Sequence, residues 1–142
     1  MKKLLLTAAV AFSTLLASAQ FMVVTTYDDD QEETADKITA NLGLGYMVND
    51  MFTVGLTMNP EVAGEDRTYN LFARYNIAQV EGAYASLEMP TEDGSDDMRI
   101  GVGFAFNVWN GLHLEPNYTM PTSEDDNGDR EGTFNFGLSY RF

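Results

Sequence analysis

The sequence contains no cysteine, and its 142 residues include only eight lysines and arginines against 22 aspartates and glutamates, giving a net charge of -14. Without cysteine, disulfide bonds and thiolate ligands for zinc are excluded. The fold must therefore be stabilised by burial and backbone pairing. The excess of acidic residues argues against binding to nucleic acid, which proteins recognise through patches of lysine and arginine.

Long apolar runs are also scarce, and the only one begins at Leu4 and ends before an A-x-A site at residues 17–19. It is shorter than the about 20 residues that a membrane-spanning helix needs. A pair of lysines precedes it, and this order of basic, apolar and small residues is typical of a cleaved export signal. We therefore expect residues 1–19 to be a signal peptide and residues 20–142 to form one domain, and we do not expect a helical membrane protein.

The rest of the sequence consists of short runs in which large apolar residues occupy every second position. The last run shows this most clearly, because Phe134, Phe136, Leu138, Tyr140 and Phe142 alternate with small or polar residues. A period of two predicts strands that have one apolar face and one polar face. Eight strands are predicted, at residues 20–28, 36–48, 51–60, 66–78, 80–89, 97–108, 111–121 and 131–142.

The polar faces of these strands contain mostly glycine, asparagine, threonine and serine, which suit a narrow polar interior better than a surface in water. The connections alternate between tight turns and long loops. All but four of the 22 acidic residues lie in or beside the long loops at 28–36, 60–66, 90–97 and 121–131. Together these patterns predict an all-β, eight-stranded antiparallel up-and-down transmembrane β-barrel, with lipid outside and a filled polar lumen inside.

Two places fit this pattern poorly. The first run alternates weakly between apolar and polar residues. Pro116 lies inside the seventh run, where its missing N–H removes a hydrogen bond from the ladder. We expect a bulge or a shorter strand at Pro116.

The same alternation directs a set of charged or titratable side chains toward the lumen: Lys37, Arg74, Glu88, Arg99, His113, Glu115 and Arg141. An unpaired buried charge costs several kcal/mol, so these groups must be paired or hydrated. We expect Glu88 and Arg99 to face each other on adjacent strands, and Arg74 and Glu115 to bridge the lumen. We interpret the set as a polar plug; the alternative is a gated path for ions or protons.

Catalytic and metal-binding patterns are weak. His113 is the only histidine, and although Glu115 shares its face, no serine on the neighbouring runs is expected to complete a triad. The acidic segment 125–129 suggests a calcium loop, but Arg130 occupies the position where an EF-hand loop requires glycine. We therefore expect no catalytic residues, no cofactor and no metal site, beyond weak binding of divalent cations by the acidic loops.

The export signal, the eight alternating segments and the short and long connections resemble the small eight-stranded outer-membrane β-barrel proteins typified by OmpX and the membrane domain of OmpA. The C-terminal residues Phe136, Leu138, Tyr140 and Phe142 are similar to the signal by which the outer-membrane assembly machinery recognises its clients. The Ala19–Gln20 junction and the closing residues also resemble barrels from Bacteroidetes. The resemblance implies a location in the outer membrane of a Gram-negative bacterium. Unlike OmpA, the barrel is expected to have no soluble domain after it, so attachment to peptidoglycan is not implied.

On this basis we expect a structural or surface-interaction role, exercised through acidic extracellular loops. The expected partners are outer-membrane lipid and lipopolysaccharide, the assembly machinery during insertion, and an unidentified surface ligand; the protein is expected to be a monomer. Eight strands enclose an interior that side chains can fill, which argues against a wide pore. The alternative is a narrow porin-like channel for ions or small solutes, and a soluble ligand-binding barrel is a third interpretation.

Overall fold

The computed structural model describes residues 20–92 and 97–142, so the predicted signal peptide at 1–19 lies outside the described residues. A six-residue helix, α1 (Thr34–Thr39), follows the first strand. The strands are β1 (Phe21–Thr26), β2 (Gly43–Met47), β3 (Phe52–Met58), β4 (Tyr69–Asn76), β5 (Ala83–Pro90), β6 (Arg99–Phe104), β7 (Phe106–Trp109), β8 (Leu112–Pro121) and β9 (Thr133–Arg141).

All of these strands belong to one closed antiparallel sheet. Consecutive strands pair from β1 to β6, and β9 pairs with β1. The ring is completed by β8, which pairs with β9 on one side and with β6 and β7 on the other. Since β6 and β7 continue one another around Ala105, the nine segments make eight barrel strands. The prediction of an all-β, eight-stranded antiparallel up-and-down barrel is confirmed.

The interruption at Ala105 follows from Pro116, which lies in the neighbouring strand β8. Pro116 pairs with Phe136 of β9, and the Phe136 carbonyl accepts a hydrogen bond from the Tyr27 N–H at 2.8 Å on its other side. In an antiparallel ladder, two facing residues that form a non-hydrogen-bonded pair direct their backbone N–H and C=O groups away from each other, toward the strands on their other sides. Pro116 therefore directs its backbone toward Phe104, and it has no N–H to donate.

The expected bulge or shortening at Pro116 is wrong. Strand β8 continues through Pro116 in regular register with β9, and the disturbance lies in the facing strand, which divides into β6 and β7. The register shift in this region falls between Asn107 and Trp109 of β7. The missing hydrogen bond thus interrupts the strand that faces Pro116 and leaves β8 itself regular.

The predicted strand at 36–48 is wrong in its first part, because residues Thr34–Thr39 form α1 and β2 begins only at Gly43. In α1 the Lys37 N–H donates to the Glu33 carbonyl, and the Thr39 hydroxyl donates to the Ala35 carbonyl at 2.9 Å. The acidic residue in the first turn and Lys37 in the last turn suit the helix dipole. Three alternating apolar residues are too short a signal to separate a strand from one turn of helix.

All short connections lie at one end of the barrel and all long ones at the other. The connection from β7 to β8 consists of Asn110 and Gly111, whose φ angles of 35° and 89° fit the type I′ turn of a two-residue hairpin. In the turn from β2 to β3, the Asn49 side chain accepts hydrogen bonds from the Met51 and Phe52 N–H groups, both at 2.8 Å. The loop from β1 to β2, which contains α1, lies at the opposite end.

The two faces of the sheet have opposite character, as the sequence predicts. On the outside, Val102 and Phe136 are 58% and 53% exposed. On the inside, Gly137 and Ser139 are buried. The orientation of the alternating residues is therefore confirmed: large apolar side chains point away from the barrel axis and small or polar ones point toward it.

The lumen also contains an apolar cluster that the sequence interpretation did not include. Met22 and Phe72 pack together with Val24 in the interior. The ring of Phe72 fits because Gly55 faces it: a Cβ atom at Gly55 would lie 2.6 Å from Phe72 Cε1. Side chains in protein interiors need about 3.5–4.0 Å between carbon atoms. The absence of a side chain at Gly55 of β3 thus leaves the space that the Phe72 ring of β4 fills.

A prediction concerns Pro116→Ala. The substitution supplies an N–H group directed at the Phe104 carbonyl, so a ladder hydrogen bond worth about 0.5–1.5 kcal/mol should form. We expect the new amide at position 116 to exchange with deuterium as slowly as neighbouring ladder amides, measured by NMR on the protein folded in detergent micelles. Rapid exchange at position 116 would contradict the explanation of the break at Ala105.

Candidate functional site in the barrel lumen

The centre of the lumen holds one carboxylate shared by several donors. Glu115 of β8 is 2% exposed, and Arg74 of β4 reaches it across the barrel with two contacts of 2.9 Å, from Nη1 to Oε1 and from Nη2 to Oε2. The Ser139 hydroxyl donates to Oε1 at 2.6 Å, and Arg141 Nη2 lies 3.7 Å from the same oxygen. We call Arg74, Glu115, Ser139 and Arg141 the central charge cluster.

The paired, two-point geometry explains how this cluster tolerates burial. Two parallel contacts between a guanidinium and a carboxylate are the strongest arrangement for such an ion pair. The Arg74 guanidinium also lies 4.0 Å from the centre of the Tyr84 ring, which adds a cation–π contact. Tyr84 in turn fits beside Gly103, where a Cβ atom would lie 2.5 Å from the Tyr84 ring.

The cluster is nevertheless incompletely balanced. It contains two guanidinium groups and one carboxylate, and the Nε atoms of Arg74 and Arg141 are buried without a hydrogen-bond partner in the described part of the chain. Breaking a buried pair leaves an uncompensated charge, which costs far more than an exposed pair contributes. The lumen therefore depends on Glu115 more than on any single arginine.

Glu88 and Arg99 occupy the loop half of the lumen. They face each other in register on β5 and β6, but their side chains bond to other groups. Glu88 Oε1 accepts a hydrogen bond of 2.6 Å from Asn70, and Arg99 donates one of 3.2 Å to the Thr119 hydroxyl. The amide and hydroxyl groups of adjacent strands thus compete successfully with the expected charge pair.

Lys37 does not lie on a barrel strand, because it belongs to α1. Its ammonium group donates a hydrogen bond of 2.8 Å to Asp29 Oδ1 in the same loop. This hydrogen bond lowers the pKa of the Asp29 carboxyl and raises the pKa of Lys37. Lys37 belongs to the loop end of the protein, and its assignment to the lumen by strand parity has no structural basis.

His113 lies inside the short-turn half of the lumen, with Nδ1 2.9 Å from the Gly111 carbonyl, which can only accept. The sequence interpretation found no serine to join His113 and Glu115, whereas the structure places Ser139 opposite His113 on the adjacent strand. The Ser139 hydroxyl donates to Glu115, which Arg74 also binds. This arrangement holds the carboxylate in place and does not set His113 to withdraw a proton from Ser139.

Two cavities flank the central charge cluster. The cavity at the loop end measures about 490 Å³ and includes Asn117 and Arg99 in its wall. The cavity at the short-turn end measures about 550 Å³ and includes His113 and Arg141. Along β8, His113 lines one cavity and Asn117 the other, with Glu115 between them, so the cluster separates the two spaces.

The described residues contain no group of three or more histidine, aspartate or glutamate side chains that could hold a metal ion. In the segment with several acidic residues near Asp125, the Asp125 carboxylate accepts hydrogen bonds from the Asn127 and Asp129 N–H groups, both at 2.9 Å. One carboxylate oxygen is thereby committed to the loop backbone, in the manner of an Asx turn.

Fold and lumen together define a small, closed antiparallel barrel whose centre is occupied by the central charge cluster. The chain matches no protein-family model, and no curated protein or solved structure shows significant similarity to it. Within residues 20–92 and 97–142, no helix has the length and apolar character needed to cross a membrane.

A prediction concerns Glu115→Gln, which removes the carboxylate that Arg74 and Arg141 share. We expect the free energy of unfolding to fall by about 3–5 kcal/mol. The measurement is urea unfolding of the protein in lipid vesicles, followed by Trp109 fluorescence.

The matched control is Glu61→Gln, which removes the carboxylate of the exposed Arg67–Glu61 pair, whose atoms are 3.0 Å apart. An exposed pair contributes about 0–1 kcal/mol, so this variant should lose little. The double variant Arg74→Gln/Glu115→Gln should recover part of the loss because one guanidinium is removed with its partner. If Glu115→Gln and Glu61→Gln lower the free energy of unfolding by the same small amount, the stability of the barrel does not depend on the Glu115 carboxylate.

Proposed function

We propose that the chain is an integral outer-membrane β-barrel with a structural or surface-interaction role through its acidic extracellular loops. One observation carries this proposal: the wall exposes large apolar side chains, among them Val54, Leu71, Val102 and Phe136, whereas the Arg74–Glu115 ion pair is enclosed in the lumen. Soluble monomers rarely expose continuous apolar surface of this extent. Hydrocarbon around the barrel accounts for such an exterior.

The aromatic side chains support the same proposal. Near the short-turn end, the exposed rings of Phe52 and Tyr75 lie 5.1 Å apart, and those of Tyr140 and Phe142 lie 4.8 Å apart. Trp109, at the end of β7, is 69% exposed. Aromatic residues at both rims of an apolar band are typical of membrane barrels, where they lie at the level of the lipid headgroups.

The resemblance to the small barrels typified by OmpX and the membrane domain of OmpA supports an outer-membrane location in a Gram-negative bacterium, with a Bacteroidetes source as a narrower proposal. On this proposal, residues 1–19 direct export. Phe136, Leu138 and Tyr140 of β9, with Phe142 directly after it, serve as the assembly signal. Lipid and lipopolysaccharide are then the permanent partners of a monomeric barrel.

The acidic loops provide the proposed surface role. The loop with α1 contains Asp28, Asp29 and Asp30, and within it the Lys37 ammonium pairs with Asp29. Asp30, Glu32 and Glu33 in the same loop are exposed to water and accessible to cations or to basic surfaces. A bacterial strain lacking the protein, scored separately for detergent sensitivity and for surface attachment, distinguishes an envelope role from an interaction role.

The alternative is a narrow porin-like channel, and the two cavities that enter the lumen from opposite ends favour it. Glu115 and Arg74 lie between these cavities and join opposite walls by two contacts of 2.9 Å. We therefore predict no steady conductance above leak for the refolded protein in planar lipid bilayers. Long, uniform single-channel openings would favour the channel instead.

A prediction compares two valines with the same exposure, Val102 on the barrel wall and Val62 in a long loop, at 58% and 57%. Arginine near the middle of a membrane costs a barrel about 2–4 kcal/mol and much less near the interface. We expect Val102→Arg to reduce the yield and stability of folding into lipid vesicles, and Val62→Arg to leave both unchanged. The readouts are heat-dependent gel migration and urea unfolding.

In a soluble barrel, the two side chains would meet the same solvent. Equal behaviour of Val102→Arg and Val62→Arg in vesicles, together with folding of the unmodified protein in buffer without lipid or detergent, would contradict the proposed membrane location.

A further inference from the structure

The wall of the cavity at the short-turn end combines apolar residues with several polar and charged side chains. It measures about 550 Å³, and its wall includes Arg141, His113 and Asn107 from three neighbouring strands. Glu81, on the rim of the cavity, is exposed to water. A carboxylate in contact with water is screened more strongly than groups inside the barrel. The charge that dominates the interior of the cavity is therefore the Arg141 guanidinium.

Arg141 has hydrogen-bonding capacity that no partner uses among residues 20–92 and 97–142, since its buried Nε atom has no acceptor there. Glu115 Oε1 already accepts from Arg74 and Ser139, and Oε2 accepts the second contact from Arg74. Arg141 Nη2 lies 3.7 Å from Oε1, which is beyond hydrogen-bond distance. Its side chain is 28% exposed, against 10% for Arg74, and Arg141 is one of the residues that line the cavity.

The charge balance of the central charge cluster also favours the binding of an anion. Two guanidinium groups share one carboxylate, and such an excess of positive charge inside a barrel is stabilised by an additional anion. Guanidinium groups bind the oxygens of phosphate and carboxylate groups through paired hydrogen bonds. Asn107 lies beside His113 in register and adds an amide donor to the wall.

We infer that this cavity is a binding site for a small oxyanion, a phosphate or carboxylate group, with Arg141 as its charged contact and Asn107 as a neutral one. The cavity lies at the short-turn end, where the outer wall carries the aromatic residues Tyr140 and Phe142. A free anion and the phosphate of a lipid headgroup offer the same oxygens to a guanidinium group. The site is additional to the proposed function, since it belongs to the opposite end of the barrel from the acidic loops.

The test uses the isotope-labelled full barrel folded in a maltoside detergent, which has no phosphate in its headgroup. Inorganic phosphate is titrated at constant ionic strength, and the NMR signals of the Asn107 side-chain amide and the His113 ring are followed. We expect saturable shifts of these signals. Loss of one charge-assisted contact weakens binding about tenfold or more, so Arg141→Gln should show at least that decrease in affinity.

Arg67→Gln is the matched control, because Arg67 lies in a long loop and pairs with the exposed Glu61. Its phosphate affinity should equal that of the unmodified protein. Asn107→Asp adds a negative charge to the cavity wall without touching the central charge cluster, and should weaken binding even if Arg141→Gln folds poorly. Arg141→Lys, which keeps the charge, should retain part of the affinity.

A second titration with a short-chain phospholipid in place of phosphate identifies the source of the anion. Shifts with free phosphate alone indicate a soluble ligand, and shifts with the lipid alone indicate a headgroup; either result supports the site. No saturable shift with either compound would overturn the inference, as would equal affinities for the unmodified protein, Arg141→Gln and Asn107→Asp.

Discussion

Closure of the sheet is the constraint on which the rest of this structure depends. Once β9 pairs with β1 and β8 pairs with β6, each of the eight barrel strands, with β6 and β7 counted as one, has two neighbours, and each residue faces either the axis or the exterior. A closed sheet leaves no unpaired edge that could join another chain. The alternation in the sequence then decides what the exterior is, and it assigns the large apolar residues to it. The polar groups of the other face must therefore be accommodated inside.

Filling that interior is a packing problem with an electrostatic component. A ring of eight strands leaves space for side chains and little more, so the large rings of Phe72 and Tyr84 require glycine on neighbouring strands, at Gly55 and Gly103. The remaining centre is occupied by the two-point contact between Arg74 and Glu115. Packing and charge are therefore linked: Tyr84 lies against both Gly103 and the Arg74 guanidinium.

The sequence predicts the barrel well because alternation is a local property that eight segments repeat. The contact between Arg74 and Glu115 could be anticipated from parity and from their similar height, although 41 residues separate them. The contact between Ser139 and Glu115 could not, because it depends on side-chain conformation within the filled lumen. Strand parity also failed at Lys37, where three alternating residues were too few to distinguish a strand from one helical turn.

Other differences arise from competition between neighbours. Glu88 and Arg99 face each other as expected, but Asn70 and Thr119 offer closer hydrogen bonds. The effect of Pro116 could be expected within its own strand, yet the break appears across the ladder at Ala105. The sequence shows that Pro116 cannot donate a backbone hydrogen bond, but only the strand register shows which of the two facing strands is interrupted.

The proposed membrane location requires the apolar face of the sheet to meet lipid, and β9 offers the most direct measurement. Because the chain has no cysteine, single cysteines can be introduced at positions 135 to 139 and spin-labelled in vesicles. The account predicts that labels at 136 and 138 collide with oxygen dissolved in the bilayer, whereas those at 135, 137 and 139 are shielded from it. High oxygen accessibility at 135, 137 and 139, with a water-soluble relaxation agent reaching 136 and 138, would contradict it.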